Sequence, residues 1–317
     1  MEKIRKERQS ILVVDSGDLF FDHLVNMNPE RALKKARLIG RAYRRMDASA
    51  VNVGDLDLVQ GVDFLRSEFS QGLPLISANL FDPSSKSPIF PPFVIREISG
   101  MRVAFLGLLP PESAPAISAA IRKANEGKIL IRDPVEAGRE TLQKLRGQAD
   151  LVVLLSDLGL SSDQIVAGTI PGIHFILGGH EGRLVVHPTL QAGAYLMQSS
   201  ARGMYVGKLH LAVENPAFPF EDKEKGESIQ AQMRNIERNL QALRGQRERQ
   251  PSKEIDHGIE LWNQRKAKLQ KELASSASDS PTIKRNLFDW SLVPLEMPLP
   301  EDEEVRRWIG EARINVD

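Results

Sequence analysis

Ile11-Leu12-Val13-Val14-Asp15-Ser16-Gly17-Asp18 opens with four consecutive apolar residues and ends in a polar turn. A run with no residue to turn toward water is the pattern of a strand buried on both faces, as in a parallel sheet. The next segment fits. Asn28-Pro29 offers a cap and a proline at the first helical position, and Ala32, Leu33, Ala36, Ile39, Tyr43 and Met46 follow at helical spacing. Further apolar strands are expected at 50–53, 74–78, 93–98, 102–108, 151–155 and 173–177, and Asp133-Pro134 opens a helix that ends near Gly147. Strand–helix alternation of this kind predicts a layered α/β domain. Residues 93–108, centred on Ser99-Gly100, read as a hairpin, as do residues 195–213 around Ala201-Arg202-Gly203, so the sheets should be mixed.

The pattern changes after Asn215-Pro216. Ile229, Met233, Ile236, Leu240 and Leu243 form a short heptad seam, Gln250-Pro251-Ser252 interrupts it, and Ile255, Ile259, Trp262, Leu269 and Leu273 resume it. This predicts an antiparallel helical hairpin. Residues 275–300, rich in serine and proline, read as an extended linker before a short helix with Val305, Trp308 and Ile309 on its apolar side. The expected organisation is therefore an α/β domain over 1–215, a helical hairpin over 216–274, and a linker with a short C-terminal helix over 275–317.

Composition narrows the function. The 317 residues carry 42 lysines and arginines against 42 aspartates and glutamates, without the basic excess of a nucleic-acid binder. There is no cysteine, which excludes disulfides, zinc–thiolate sites, covalently attached haem and thiol nucleophiles within the chain. The first ten residues are charged with both signs, and the apolar run after them is shorter than the ~7–15 residues of an export signal's core. Nothing approaches the ~20 apolar residues of a membrane helix.

Four polar segments sit at or beside predicted strand ends, where ligands gather in α/β sheets. They are Gly17-Asp18-Leu19-Phe20, Asn52-Val53-Gly54-Asp55-Leu56-Asp57, Leu155-Ser156-Asp157-Leu158-Gly159 and Gly178-Gly179-His180-Glu181-Gly182. Read singly, an acidic residue after a strand is more often a helix cap or turn former than a ligand. Asp55 with Asp57 suggests an acid–base pair, but nothing in the sequence sets their separation. His23, His174, His187, His210 and His257 lack spaced partners and read as packing or surface histidines. Ser156 and Ser199-Ser200 lack a nucleophile-elbow context.

Taken in order, together with Ser77-Ala78-Asn79, Pro171-Gly172-Ile173 and Gly203-Met204-Tyr205-Val206-Gly207, the segments resemble the 5′-nucleotidase family of the calcineurin-like metallophosphoesterases over residues 1–215. The resemblance implies a two-sheet metallophosphoesterase-like α/β fold and a pair of metal ions that bind phosphate and activate water. It also implies a nucleotide or related phosphate-ester ligand, and relatives that are commonly periplasmic. Its departures are specific. The chain begins after the point where the family's Asp-x-His strand would stand. The family's last site histidine is replaced by Gly182 and its phosphate-side histidine by Leu56. The positions of the second metal hold Asp18, Asp55, Asp157 and His180, all still ligand types, and three carboxylates with one imidazole suit magnesium, manganese or calcium better than zinc. No catalytic residue is assigned. Two functions follow: a binding or scaffolding module with a degenerate metal site, meeting a protein partner or a second copy through 224–274, or an active metal-dependent phosphoester hydrolase.

Overall fold

The computed structural model describes residues 10–22, 28–201, 203–278, 284–295 and 301–312. The chain divides into two compact units, Met1–Gly207 with Leu292–Asp317, and Lys208–Ser291. His23 lies outside the described residues.

In the first unit the parallel strands are continuous apolar runs because both of their faces are covered. A six-stranded sheet has the order β10-β11-β9-β8-β6-β5, from Thr189–Gln191, Ala194–Gln198, Phe175–Gly178, Leu151–Ser156, Met101–Leu108 and Phe93–Ile98. Its four inner strands are parallel, and β5 and β10 close it in antiparallel pairs. Every residue of β8 is buried. Val152 and Leu154 pack with Leu106, Val166, Ile170 and Leu145 under α4 (Pro134–Leu145) and α5 (Leu160–Thr169). A second sheet, all parallel, has the order β1-β2-β3, from Val13–Asp15, Ala48–Asn52 and Leu75–Ile76. It is covered by α1 (Pro29–Arg45) and α2 (Val62–Phe69), with Phe20 stacked on Phe69 at 3.9 Å between ring centres. A small antiparallel pair, β4 (Leu80–Phe81) with β7 (Leu130–Ile131), and the short helix α3 (Ala119–Ala124) complete this unit's core. The expected caps form: Asn28 Oδ1 accepts from the Arg31 amide, and Asp133 accepts from the Val135 and Glu136 amides.

A buried side chain helps to join the two sheets. Asn52 donates from Nδ2 to the carbonyls of Ser16 and Leu108, each at 2.9 Å, tying together the C-terminal ends of β1, β2 and β6. Asn79 bridges the ends of β6 and β7, donating to the Leu109 and Arg132 carbonyls and accepting from the Leu109 amide. Helix α8 (Glu303–Ala312) packs on α1, where the Arg41 guanidinium lies 3.8 Å above the Trp308 ring and Arg45 pairs with Asp302 and Glu304.

The second unit contains α6 (Lys225–Arg249) and α7 (Lys253–Ser278), which turn at Pro251. The pairs Arg247–Asp256 and Glu237–Lys266 show that they run antiparallel. Ile229, Ile236, Leu240 and Leu269 are buried between them, with Met233, Ile259 and Trp262 packed alongside. A three-stranded sheet, β12-β14-β13, is built from Tyr205–Ala212, Asn286–Pro294 and Phe220–Asp222. Asn286 is fully buried and binds four loop groups, accepting from the Glu214 and Asn215 amides and donating to the Asn215 and Phe218 carbonyls.

Four expectations differ from the structure. The run that opens at Ile11 forms strand only from Val13. Its residues are half-buried, because among the described strands β1 pairs on one side alone. The expected hairpin over 195–213 does not form, since β9 and β10 already occupy both edges of β11 and β12 pairs with β14 instead. Residues 286–294 are a strand, not linker. Serine and proline on either side hid its alternation, in which Asn286 and Phe288 are buried and Leu287 is exposed. The division between units falls after Gly207, eight residues before the expected break, because β12 already leads into the β12-β14-β13 sheet.

Candidate metal centre

Asp18 follows β1, Asp55 follows β2, Asp157 follows β8 and His180 follows β9, so four parallel strands deliver four side chains to one edge. One ligand atom from each lies within 4.8 Å of all the others. His180 Nδ1 stands 3.2 Å from Asp55 Oδ1, 3.6 Å from Asp157 Oδ1 and 4.0 Å from Asp18 Oδ2. Asp55 and Asp157 are buried, while the His180 side chain is 28 % exposed and forms the open side.

The carboxylates divide their oxygens between two tasks. Asp18 Oδ1 accepts from the Leu56 amide at 2.9 Å, which leaves Oδ2 toward His180. Asp157 Oδ2 accepts from the Asp55 amide at 3.0 Å, which leaves Oδ1. Each aspartate thus fixes the loop carrying another member of the cluster. Asp55 Oδ1 and Asp157 Oδ1 are sealed from solvent and receive no well-directed hydrogen bond, although the imidazole lies close to both. Buried carboxylate oxygens left in that condition, converging on one point, fit a hard divalent cation.

Backbone geometry supports the cluster. Asp18 and His180 both adopt left-handed conformations, with φ of 56° and 67°, which costs energy for residues bearing a Cβ and is held here by the surrounding contacts. Gly54 has no alternative: a Cβ there would lie 2.3 Å from both Asp18 N and Asp18 Oδ1. Asp57, fully buried, accepts from the amides of Asp18 and Gly54 through Oδ2 and of Phe20 through Oδ1, at 3.1, 2.9 and 2.9 Å. It therefore braces the β1 and β2 loops and is no acid–base partner of Asp55. The sequence marked Asp57 only as a neighbour of Asp55, and nothing local signals a residue that binds backbone 37 to 39 positions away.

Electrostatics follow from the crowding. Burial, reinforced by Asp157 and Asp55, pushes the Asp18 carboxyl well above its usual range. Burial pushes Asp157 up to about 7, and the close Asp157 and Asp55 carboxylates push His180 up to about 11.

The positions flanking the cluster carry no ligand. Leu56 is half-buried, with its amide on Asp18. Gly182 has φ of 64°, and a Cβ there would meet Ala201 Cβ at 2.9 Å, so the loop excludes a larger residue without rearrangement. Among the other histidines, His174 accepts from the Val152 amide and His210 pairs with Asp289, both outside the cluster.

No family model matches the chain. A metallophosphoesterase of Bacillus subtilis, YunD, is 27 % identical over 269 residues, covering 82 % of this chain and 55 % of the relative. A 5′-nucleotidase of Vibrio cholerae is 25 % identical over 246 residues, covering 67 % and 42 %. The chain thus spans about half the length of these curated relatives. The solved calcineurin-like phosphoesterase YfkN of Bacillus subtilis superposes with a TM-score of 0.62 at 17 % identity, covering 98 % of this chain and 85 % of that one, a likeness of fold. Motif order, architecture and relatives agree: the chain is related to the 5′-nucleotidases and calcineurin-like metallophosphoesterases.

Proposed function

We propose that this chain binds a single divalent cation through Asp18, Asp55, Asp157 and His180 and acts as a phosphate-ester-binding module with impaired hydrolysis. The observation that carries the reading is the contrast within the site. Four ligand-type side chains converge within 4.8 Å, while Leu56 and Gly182, where the family carries histidines, offer neither charge nor side-chain donor. Magnesium, manganese and calcium suit three carboxylates and one imidazole. A cation held there would supply Lewis-acid attraction for a phosphate oxygen. Leucine supplies no compensating contact as charge builds on the phosphoryl group, and losing one such donor costs about 10²–10³-fold in analogous sites.

The test pairs binding with turnover. Titration with manganese should show saturable one-site binding that Asp157→Ala abolishes. Assays on nucleoside monophosphates and simple phosphate diesters should show no turnover above background with magnesium, manganese or zinc. Robust turnover that vanishes in Asp18→Asn would instead establish the second reading, an active phosphoester hydrolase, which the activities named for the relatives favour.

A further inference from the structure

Asp57 braces the loops that carry Asp18 and Asp55, which raises the question of what holds the loops of Asp157 and His180. Asp163 lies in the first turn of α5, is 1 % exposed, and belongs to none of the motifs. Ser156, at the end of β8, donates its hydroxyl to Asp163 Oδ1 and accepts the Leu158 amide on the same oxygen at 3.2 Å, closing the turn that presents Asp157. The Ser156 carbonyl accepts the Gly179 amide at 2.7 Å, next to His180. The other carboxylate oxygen lies against the end of β9, where a Cβ on Gly178 would come within 2.7 Å of Asp163 Oδ2. The carboxylate thus bonds the turn after β8 through Ser156 and lies beside the end of β9 at Gly178.

Resting on the single-cation reading, we propose that Asp163 is a positioning residue that sets the Asp157 and His180 loops in register for the cation. Burial pushes its carboxyl up to about 7, so ordinary helix solubility does not explain a carboxylate here. An alanine would leave the fully buried Ser156 hydroxyl without its acceptor and free the turn. An asparagine keeps one acceptor oxygen of the same shape.

The experiment uses the full chain with Asp163→Ala, Asp163→Asn and Ser156→Ala, and reads manganese affinity together with amide exchange in metal-free protein. In Asp163→Ala, affinity should fall at least about tenfold, the scale of outer-sphere losses at metal sites. The Leu158 and Gly179 amides should exchange faster, while the Phe20 and Leu56 amides, held by Asp57 and Asp18, keep their protection. Asp163→Asn should restore both readouts. Unchanged affinity in Asp163→Ala, or an equal loss in Asp163→Asn, overturns the proposal. If Asp163→Ala does not fold, Ser156→Ala carries the same test. If the wild-type chain takes up no manganese, the single-cation reading fails by itself. Exchange then decides the role of Asp163, and unchanged Leu158 and Gly179 rates in Asp163→Ala reject it.

Discussion

The first unit buries the residues Asp55, Asp57, Asp157 and Asp163 to 1 % exposure or less, whereas the side chains of Glu237 and Asp256 on the α6–α7 hairpin stand 54 % and 53 % exposed opposite Lys266 and Arg247. In the first unit the apolar core is large enough to carry that polarity, and loop amides or a hydroxyl satisfy much of it. In the hairpin a thin seam of Ile229, Ile236, Leu240 and Leu269 is the stabilising element, and the charges only decorate it. The difference teaches where electrostatics matter. A buried acid changes the free energy of folding, while an exposed pair hardly does.

The largest effect should come from breaking the first side of this contrast at Asp57. Asp57→Ala would leave three amides without their acceptor, and at about 1–3 kcal/mol for each buried orphan the first unit should lose at least ~3 kcal/mol. Denaturant melts would show it, and manganese binding should disappear with it. A loss below ~1 kcal/mol would mean that water replaces the carboxylate and that the brace is unnecessary.

Placing a buried charge in the hairpin tests the other side. Leu240→Asp puts a carboxylate where 3 % of the leucine is exposed and no basic group among the described residues is buried, and should cost ~3 kcal/mol or more. Hydrogen exchange should then rise along the hairpin backbone. If exchange and melting are both unchanged, the seam is not what holds the helices.

Adding a cation should sharpen the contrast, because it acts on one unit alone. At a hundredfold excess over its dissociation constant, manganese should stabilise the first unit by ~2.7 kcal/mol through mass action, and chelator should reverse the effect. Asp157→Ala should melt the same with or without metal. Identical shifts in the two proteins would place the cation elsewhere.

A smaller effect is expected at acid pH. Burial holds the His174 imidazole below its ordinary range, so the unfolded chain binds the proton more readily than the native state below about pH 6.5. Its contribution is complete above that pH and is lost as pH falls through the native value. Melting curves of the wild type should fall more steeply below pH 6.5 than those of His174→Gln.

The smallest change belongs to the exposed pairs. Removing Glu237 opposite Lys266 should alter stability by less than ~1 kcal/mol, and salt should erase the difference. A loss of several kcal/mol would show that the hairpin's charges are structural after all.

The fold class was legible in the sequence because parallel strands and heptad seams are local patterns. The runs at Leu151–Ser156 and Phe175–Gly178 and the spacing of Ile229, Ile236 and Leu240 each signal their element without knowledge of the partners. Asp18, Asp55, Asp157 and His180 were legible through the order of their motifs, since each lies within three residues of a strand's end. Asp57 and Asp163 were not, because their acceptor roles join residues that only the folded loops bring together. β14 was equally hidden, because its pairing with β12 and β13 spans dozens of residues.

By itself the sequence determined that this chain alternates strands with helices, carries a helical hairpin, contains no cysteine, and keeps four ligand-type residues near strand ends while leucine and glycine stand beside them. Only the tertiary structure decided that β1 is half-buried, that β11 has no edge left for β12, and which carboxylate oxygens face one another and which hold backbone. The physical reason is range. Periodicity and capping act over a few residues, whereas burial, the desolvation of Asp157 and the 3.2 Å approach of His180 to Asp55 exist only once strands distant in sequence lie side by side.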